Sequence, residues 1–130
     1  MFLLDTNVCI HFMRGRHGME LRVAHVKPTN CHISEITYAE LLFGVENSEH
    51  RKLNQENLDH FMLRVSVLTI SSAIPVYAKE RARIESIGQP LDDFDLLIGA
   101  TAIHHNMTLV TNNTRHFERL QGLRLEDWTK

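Results

Sequence analysis

Apolar positions along this chain follow two rhythms. Short apolar runs punctuate longer segments in which apolar residues recur every three or four positions. The first run, "FLLD", predicts a strand, and "TNVCIHFMRG" predicts a helix ending near Gly15, with Val8 beside Phe12 and Cys9 beside Met13 on its face. "MELRVAHV" continues helically to Pro28. "NCHIS" is a short buried strand whose Ser34 is placed to cap the helix "EITYAELLFGVEN", and a second helix covers "SEHRKLNQENLDHFMLRV". "SVLTI" predicts a strand, Ser71 or Ser72 a cap, and "AIPVYAKERARIESI" an amphipathic helix stopped by Gly88 and Pro90. "LDDFDLLIGATAIHHN" is apolar almost all round, hence a buried helix, with Asp92 as its N-cap. "MTLVT" is a further strand, "NNTRHFERL" a turn and short helix, and "LRLEDW" a last strand or edge.

Short apolar strands alternating with helices imply a parallel sheet covered on both faces. The expected fold is α/β and three-layered, a central, mainly parallel sheet of four to five short strands flanked by helices. The chain contains no repeats, low-complexity tracts or linker-like stretches, and Pro28, Pro75 and Pro90 fall at element boundaries, so residues 1–130 form one domain. That length buries a core without disulfides or structural metals. Its two cysteines, Cys9 and Cys31, sit in apolar surroundings without CxxC spacing, which fits reduced thiols rather than zinc ligands. The formal net charge of −2 advertises no polyanion binder, so a nucleic acid would have to be held by local patches. The opening apolar run is too short for a membrane span and has no basic region before it, which leads to the expectation of a soluble, cytoplasmic protein.

One charge breaks the pattern at once. Asp5 lies between Leu4 and the apolar Val8, Cys9 and Ile10, so its carboxylate is expected against the interior, where it needs a partner. In α/β sheets the functional crevice lies beyond the carboxyl ends of the strands, at a topological switch point. Asp5 follows the first strand, Glu40 lies in the helix after the second, and Thr111, Asn112 and Asn113 follow the late strand. Glu40 shares a helical stripe with Ile36, Phe43 and Gly44, and taken alone is a glutamate at the margin of that stripe. Asp95 shares its face with Ile98, Gly99 and Ala102, and taken alone is a first-turn acid helping Asp92 cap the helix. Three such acids on converging elements repel strongly in a low-dielectric crevice unless a cation sits among them. Oxygen-only ligands favour a hard ion, Mg²⁺ or Mn²⁺.

The stretches "MFLLDTN", "SEITYAELLFGVENS", "PLDDFDLLIGATA" and "TLVTNNTRHFERLQGLRLEDW" resemble the PIN-domain ribonucleases, and most closely the VapC toxins of bacterial toxin–antitoxin pairs. The resemblance spans nearly the whole chain. It implies that Asp5 and Asp95 bind Mg²⁺ and that Glu40 completes an acidic triad, orienting or deprotonating water or helping hold a second ion. It also implies hydrolysis of RNA to a 5′-phosphate and a 3′-hydroxyl. Thr6 and Asn7, beside Asp5 at a helix start, are candidates to contact a phosphate or to cap the helix. Gly99 stands where the family usually has alanine, a small-for-small exchange expected to leave packing intact. Many PIN domains carry a fourth acid after the last core strand; the matching position here is Asn113 or Asn112, which favours a single ion. The C-terminal block is reminiscent of toxins that cut initiator tRNA in its anticodon loop, which makes tRNA the first expected substrate. The resemblance further implies a VapB-like antitoxin, received by a groove in the region carrying Phe43, Leu53, Leu58, Phe61 and Met62, and a homodimer formed through the same helical region.

Other residues have plainer expected roles. Asp92 and Asp93 suit the helix dipole, and His104 and His105 suit a helix C-terminus at the surface. Arg14, Arg16, Arg81, Arg83, Arg115 and Arg119 are the candidate phosphate contacts, Arg115 foremost because it follows "TNN". Phe117 and Trp128 suit packing better than base stacking. Two rival functions are a haloacid-dehalogenase-like phosphatase using Asp5 as nucleophile and a metal-free PIN-like RNA-binding module. The first wants an aspartate where Asn7 stands, and the second wants one of the acids lost.

Overall fold

A computed structural model describes residues 1–130. Twelve principal elements follow the chain: β1 (Phe2–Leu4), α1 (Thr6–Met13), α2 (Met19–Val26), β2 (Cys31–Ser34), α3 (Glu35–Glu46), α4 (Arg51–Met62), β3 (Ser66–Leu68), α5 (Ile74–Ser86), α6 (Asp93–His104), β4 (Thr108–Val110), α7 (Thr114–Phe117) and β5 (Arg124–Glu126). The strands form one five-stranded sheet in the order β3-β2-β1-β4-β5, every pairing parallel. "LRLEDW" therefore supplies a true edge strand.

Period-2 alternation divides the central strands between two cores. Leu4, Ile33 and Val110 face a layer built by α1 to α4, packed with Val8, Phe12, Met19, Leu41, Leu58 and Phe61. Leu3 and Leu109 face the other layer, packed with Ile84, Leu96, Ile98 and Phe117 from α5, α6 and α7 and with Leu120 just after α7. The three-layer expectation thus holds, with helices on both faces. Trp128 is buried against Phe2, ring centroids 5.3 Å apart, and Phe117 is fully buried, so both pack rather than stack bases. No helix is long and apolar enough to cross a membrane.

Three local expectations change. Neither Ser71 nor Ser72 caps α5: a 3₁₀ turn over Ser71–Ala73 runs straight into the helix, with Ala73 as N-cap and no side-chain bond. Pro75 in the first turn has no N–H to be capped. The helix expected from Ser48 to Val65 is shorter, and Phe43 and Leu53 on the expected stripe are 68% and 56% exposed, whereas Leu58 and Phe61 are core. Gly99 is not a neutral exchange either. A Cβ there would collide with Leu120 Cδ1, the tip of a flexible side chain, so an alanine requires Leu120 to shift.

Candidate active site

The strand order places a switch point between β1 and β4: from β1 the chain builds outward through β2 and β3, then returns to build β4 and β5 on the other side. Asp5 leaves β1 with its N–H bonded to the carbonyl of Val110, the last residue of β4 (2.9 Å), so the two strand ends are tied together there. Asp5 is the N-cap of α1 and is 5% exposed. Its Oδ1 accepts the Thr6 N–H (2.8 Å) and its Oδ2 accepts the Thr111 hydroxyl (2.8 Å). Burial pushes the Asp5 carboxyl above its ordinary range, and these two hydrogen bonds pull it partly back.

Ser34 ends β2 and caps α3 by accepting the Ile36 N–H (3.1 Å), which aims α3 across the same sheet end. Glu40, on the second turn of α3, accepts the Thr6 hydroxyl at Oε1 (2.7 Å), and the Thr37 hydroxyl lies 3.1 Å from that of Thr6. Thr6 thus does not cap α1 through its side chain, and its hydroxyl is given to Glu40. Asn7 is exposed with no side-chain hydrogen bond, and Asn112 is also exposed.

Asp92 caps α6 by accepting the Phe94 N–H (3.1 Å), and Asp93 accepts the Tyr77 hydroxyl (3.0 Å), so both do the structural work expected of first-turn acids. Asp95 differs. Its carboxyl is pushed up to about 6, first by burial and then by the negative charges of Asp5, Asp92 and Glu40, while the positive charge of His116 opposes the rise. Asp5, Glu40 and Asp95 therefore share one field at the sheet end.

No three His, Cys, Asp or Glu side chains converge tightly enough to hold one ion between them. The residues that could hold an ion are Asp5 and Asp95, with Glu40 hydrogen-bonded to Thr6 beside them. Mg²⁺ suits such a site, because it keeps several waters and binds protein through one or two carboxylates.

The candidate arginines separate into two groups. Arg81 is bound to Glu85 (3.0 Å), the Tyr77 hydroxyl (2.7 Å) and Asp93 (3.4 Å). Arg83 grips Glu80 at both oxygens (2.9 and 3.0 Å) and the Arg119 carbonyl (2.5 Å), while Arg119 donates to the Pro90 carbonyl (2.8 Å). Arg81 thus bridges α5 to Asp93 of α6, Arg83 ties α5 to the Arg119 carbonyl, and Arg119 is anchored at Pro90, so each guanidinium already has protein partners. Arg14, Arg16 and Arg115 are exposed, and Arg14 lies with Glu40 along a groove described below.

Asn113 is half-buried, its N–H donating to Thr111 Oγ1 (3.0 Å) and its Nδ2 to His116 Nδ1 (2.8 Å). His116 had no place in the sequence reading. Its signal there was its position one helical turn beyond "TNN", on the face Asn113 begins.

A groove of about 220 Å³ lies between α1, α3 and α4, its floor Ile10, Met13, Leu41, Val45 and Leu58 and its rim including Arg14 and Glu40. One end of it thus opens on the acidic site.

Comparison with known proteins agrees with this geometry. The PIN domain family model matches residues 2–123. The tRNA(fMet)-specific endonuclease VapC of Shigella flexneri is 34% identical over 129 residues, 98% of each chain, and Ribonuclease VapC2 of Rickettsia felis is 36% identical over 136 residues, 100% of this chain and 99% of its own. The crystal structure of VapBC2 from Rickettsia felis bound to a promoter DNA fragment contains a chain that superposes with a TM-score of 0.92 at 33% identity, covering 98% of both chains. The all-parallel sheet, the switch-point acids and full-length similarity at this level agree, and the chain belongs to the PIN-domain family, among the VapC ribonucleases.

Proposed function

We propose that this protein is an endoribonuclease toxin that depends on Mg²⁺, with Mn²⁺ as a substitute, and cuts tRNA to leave a 5′-phosphate and a 3′-hydroxyl, arresting translation in the cytoplasm. The observation that carries the reading is the Asp95 carboxyl, lifted to about 6 first by burial and then by the negative charges of Asp5, Asp92 and Glu40 at the switch point. A fold does not gather like charges in a half-buried crevice without cost, and a divalent cation held by Asp5 and Asp95 relieves it. Bound there, such an ion supplies Lewis-acid polarisation of a phosphodiester and a more acidic water. Asp5 is pre-set for this role by Thr111 and the Thr6 N–H, which keep its carboxylate in one rotamer. Glu40, steered by Thr6, is the residue that orients the attacking water or takes its proton. The exposed Arg115, close in sequence to Asn113, meets the RNA backbone.

The initiator tRNA anticodon loop is the first substrate to try, supported by the name of the Shigella flexneri relative. A VapB-like antitoxin is the regulatory partner, supported by the toxin–antitoxin complexes among the structural relatives. The apolar groove beside Glu40 suits an apolar helix from that antitoxin, whose arginine could enter the acidic site and compete with the cation. Exposed Phe43 and Leu53 on α3 and α4 suit that docking or a homodimer contact.

The test is to express wild type and Asp5→Asn, supply Mg²⁺ or Mn²⁺, and sequence the RNA ends. Cation-dependent cuts absent from Asp5→Asn are expected, clustered in tRNA anticodon loops. Purified wild type that binds RNA but leaves it intact with either ion refutes the nuclease reading.

A further inference from the structure

A hydrogen-bonded chain leads from the buried Asp5 carboxylate to a histidine at the mouth of the site. Thr111 Oγ1 donates to Asp5 Oδ2 (2.8 Å) and accepts the Asn113 N–H (3.0 Å). Asn113 Nδ2 then meets His116 Nδ1 (2.8 Å). An amide NH₂ has only protons to offer, so Nδ1 accepts and the proton of a neutral ring resides on Nε2. Nε2 lies across the ring from Asn113, and His116 is exposed, so that N–H has no partner within the protein. The ring also sits within electrostatic reach of Asp95, whose rise in pKa it opposes.

These contacts assign work to Asn113, at the position where the family resemblance expects an acid: its side chain is spent on His116. We infer that His116 is a phosphate-contacting residue of this site, donating Nε2–H to a non-bridging oxygen of the scissile phosphate, with Asn113 as the residue that positions it. The inference rests on the nuclease reading above and adds to it a residue outside the acidic set. Its physical logic is that a crevice lined by carboxylates repels a phosphodiester, so a fixed neutral or cationic donor on the approach side favours the productive pose. A ring held by Asn113 loses little freedom on binding.

Three measurements test it. In long-range ¹⁵N–¹H spectra of the free protein, His116 should show the Nε2–H tautomer, and Asn113→Ala should abolish that preference. Against the RNA cut by wild type, His116→Ala should lose about 100-fold in kcat/KM, His116→Gln should recover much of the loss through its amide N–H, and melting temperatures should stay within a few degrees because the side chain is exposed. In an Asp5→Asn background, chosen to suppress cutting, His116→Ala should weaken binding of a short RNA oligonucleotide. Wild-type cleavage matched within threefold by His116→Ala overturns the assignment and leaves the nuclease reading standing, as does a Gln variant no better than Ala. A wild type that cuts no RNA overturns the nuclease reading, and this inference with it.

Discussion

Replacing Asp95 with asparagine should make the metal-free protein more stable, and only above a definite pH. The folded-state carboxyl sits at about 6 against an ordinary value of 3.8, because burial and the charges of Asp5, Asp92 and Glu40 disfavour its ionised form. That rise of about 2 units corresponds to ~3 kcal/mol. Asp95 is only half-buried, so solvent screening reduces this to ~1.5 kcal/mol. Its favourable place in the first turn of α6 offsets a further ~0.5 kcal/mol. About 1 kcal/mol of net destabilisation remains for the ionised side chain, or roughly 4 °C in Tm for a domain of this size. The sign follows from proton binding. The folded state holds the proton more tightly, so wild-type stability falls as pH rises from the unfolded value through about 6, and the penalty is complete above that. Thermal or urea unfolding in EDTA should therefore show Asp95→Asn ahead of wild type at pH 8, with the gap nearly closed at pH 4. Adding Mg²⁺ should reverse the order at pH 8, because only wild type retains both carboxylates of the proposed site. Equal stabilities at pH 8 in EDTA, or a gap that persists undiminished at pH 4, would refute the claim that burial and the neighbouring acids raise the Asp95 carboxyl.

Two further substitutions probe single contacts. Thr6→Val keeps the shape of the side chain but removes the hydroxyl that holds Glu40 at 2.7 Å, so RNA cleavage should fall about 10-fold with Tm little changed, and full activity would mean that Glu40 needs no steering. Gly99→Ala gains about 1 kcal/mol of helix propensity yet sets a methyl against Leu120, and overpacking costs ~1–3 kcal/mol. It should fail to stabilise the protein, and combining it with Leu120→Val should recover part of the loss; a Gly99→Ala variant with a clearly higher Tm by calorimetry would show that Leu120 yields freely.

The alternation of strands and helices was legible because β1, β2 and β4 are short, largely buried runs and most helices carry apolar residues every three or four positions, whereas the edge strands β3 and β5 are largely exposed. The capping roles of Asp92 and Ser34 were legible for the same local reason: an N-cap acts within its own turn. The missing cap on α5 was not, since a 3₁₀ turn and Pro75 made one unnecessary. Arginines gave the poorest reading. Arg81, Arg83 and Arg119 look identical in sequence to free cations, and only packing shows them spent on Glu85, Glu80 and Pro90.

The sequence by itself determined the layer architecture, the place of Asp5 at the end of the first strand and the presence of three pattern-breaking acids, because burial periodicity is written into the spacing of apolar residues; the strand order that makes that strand end a switch point came from the structure. Only tertiary structure decided what those acids touch. Thr6 turning to Glu40, Thr111 to Asp5, Asn113 to His116 and Leu120 into the space over Gly99 are contacts between residues on different elements. Whether such pairs meet depends on how helices settle on the sheet to within an ångström, and hydrogen bonds and van der Waals repulsion are decided on that scale.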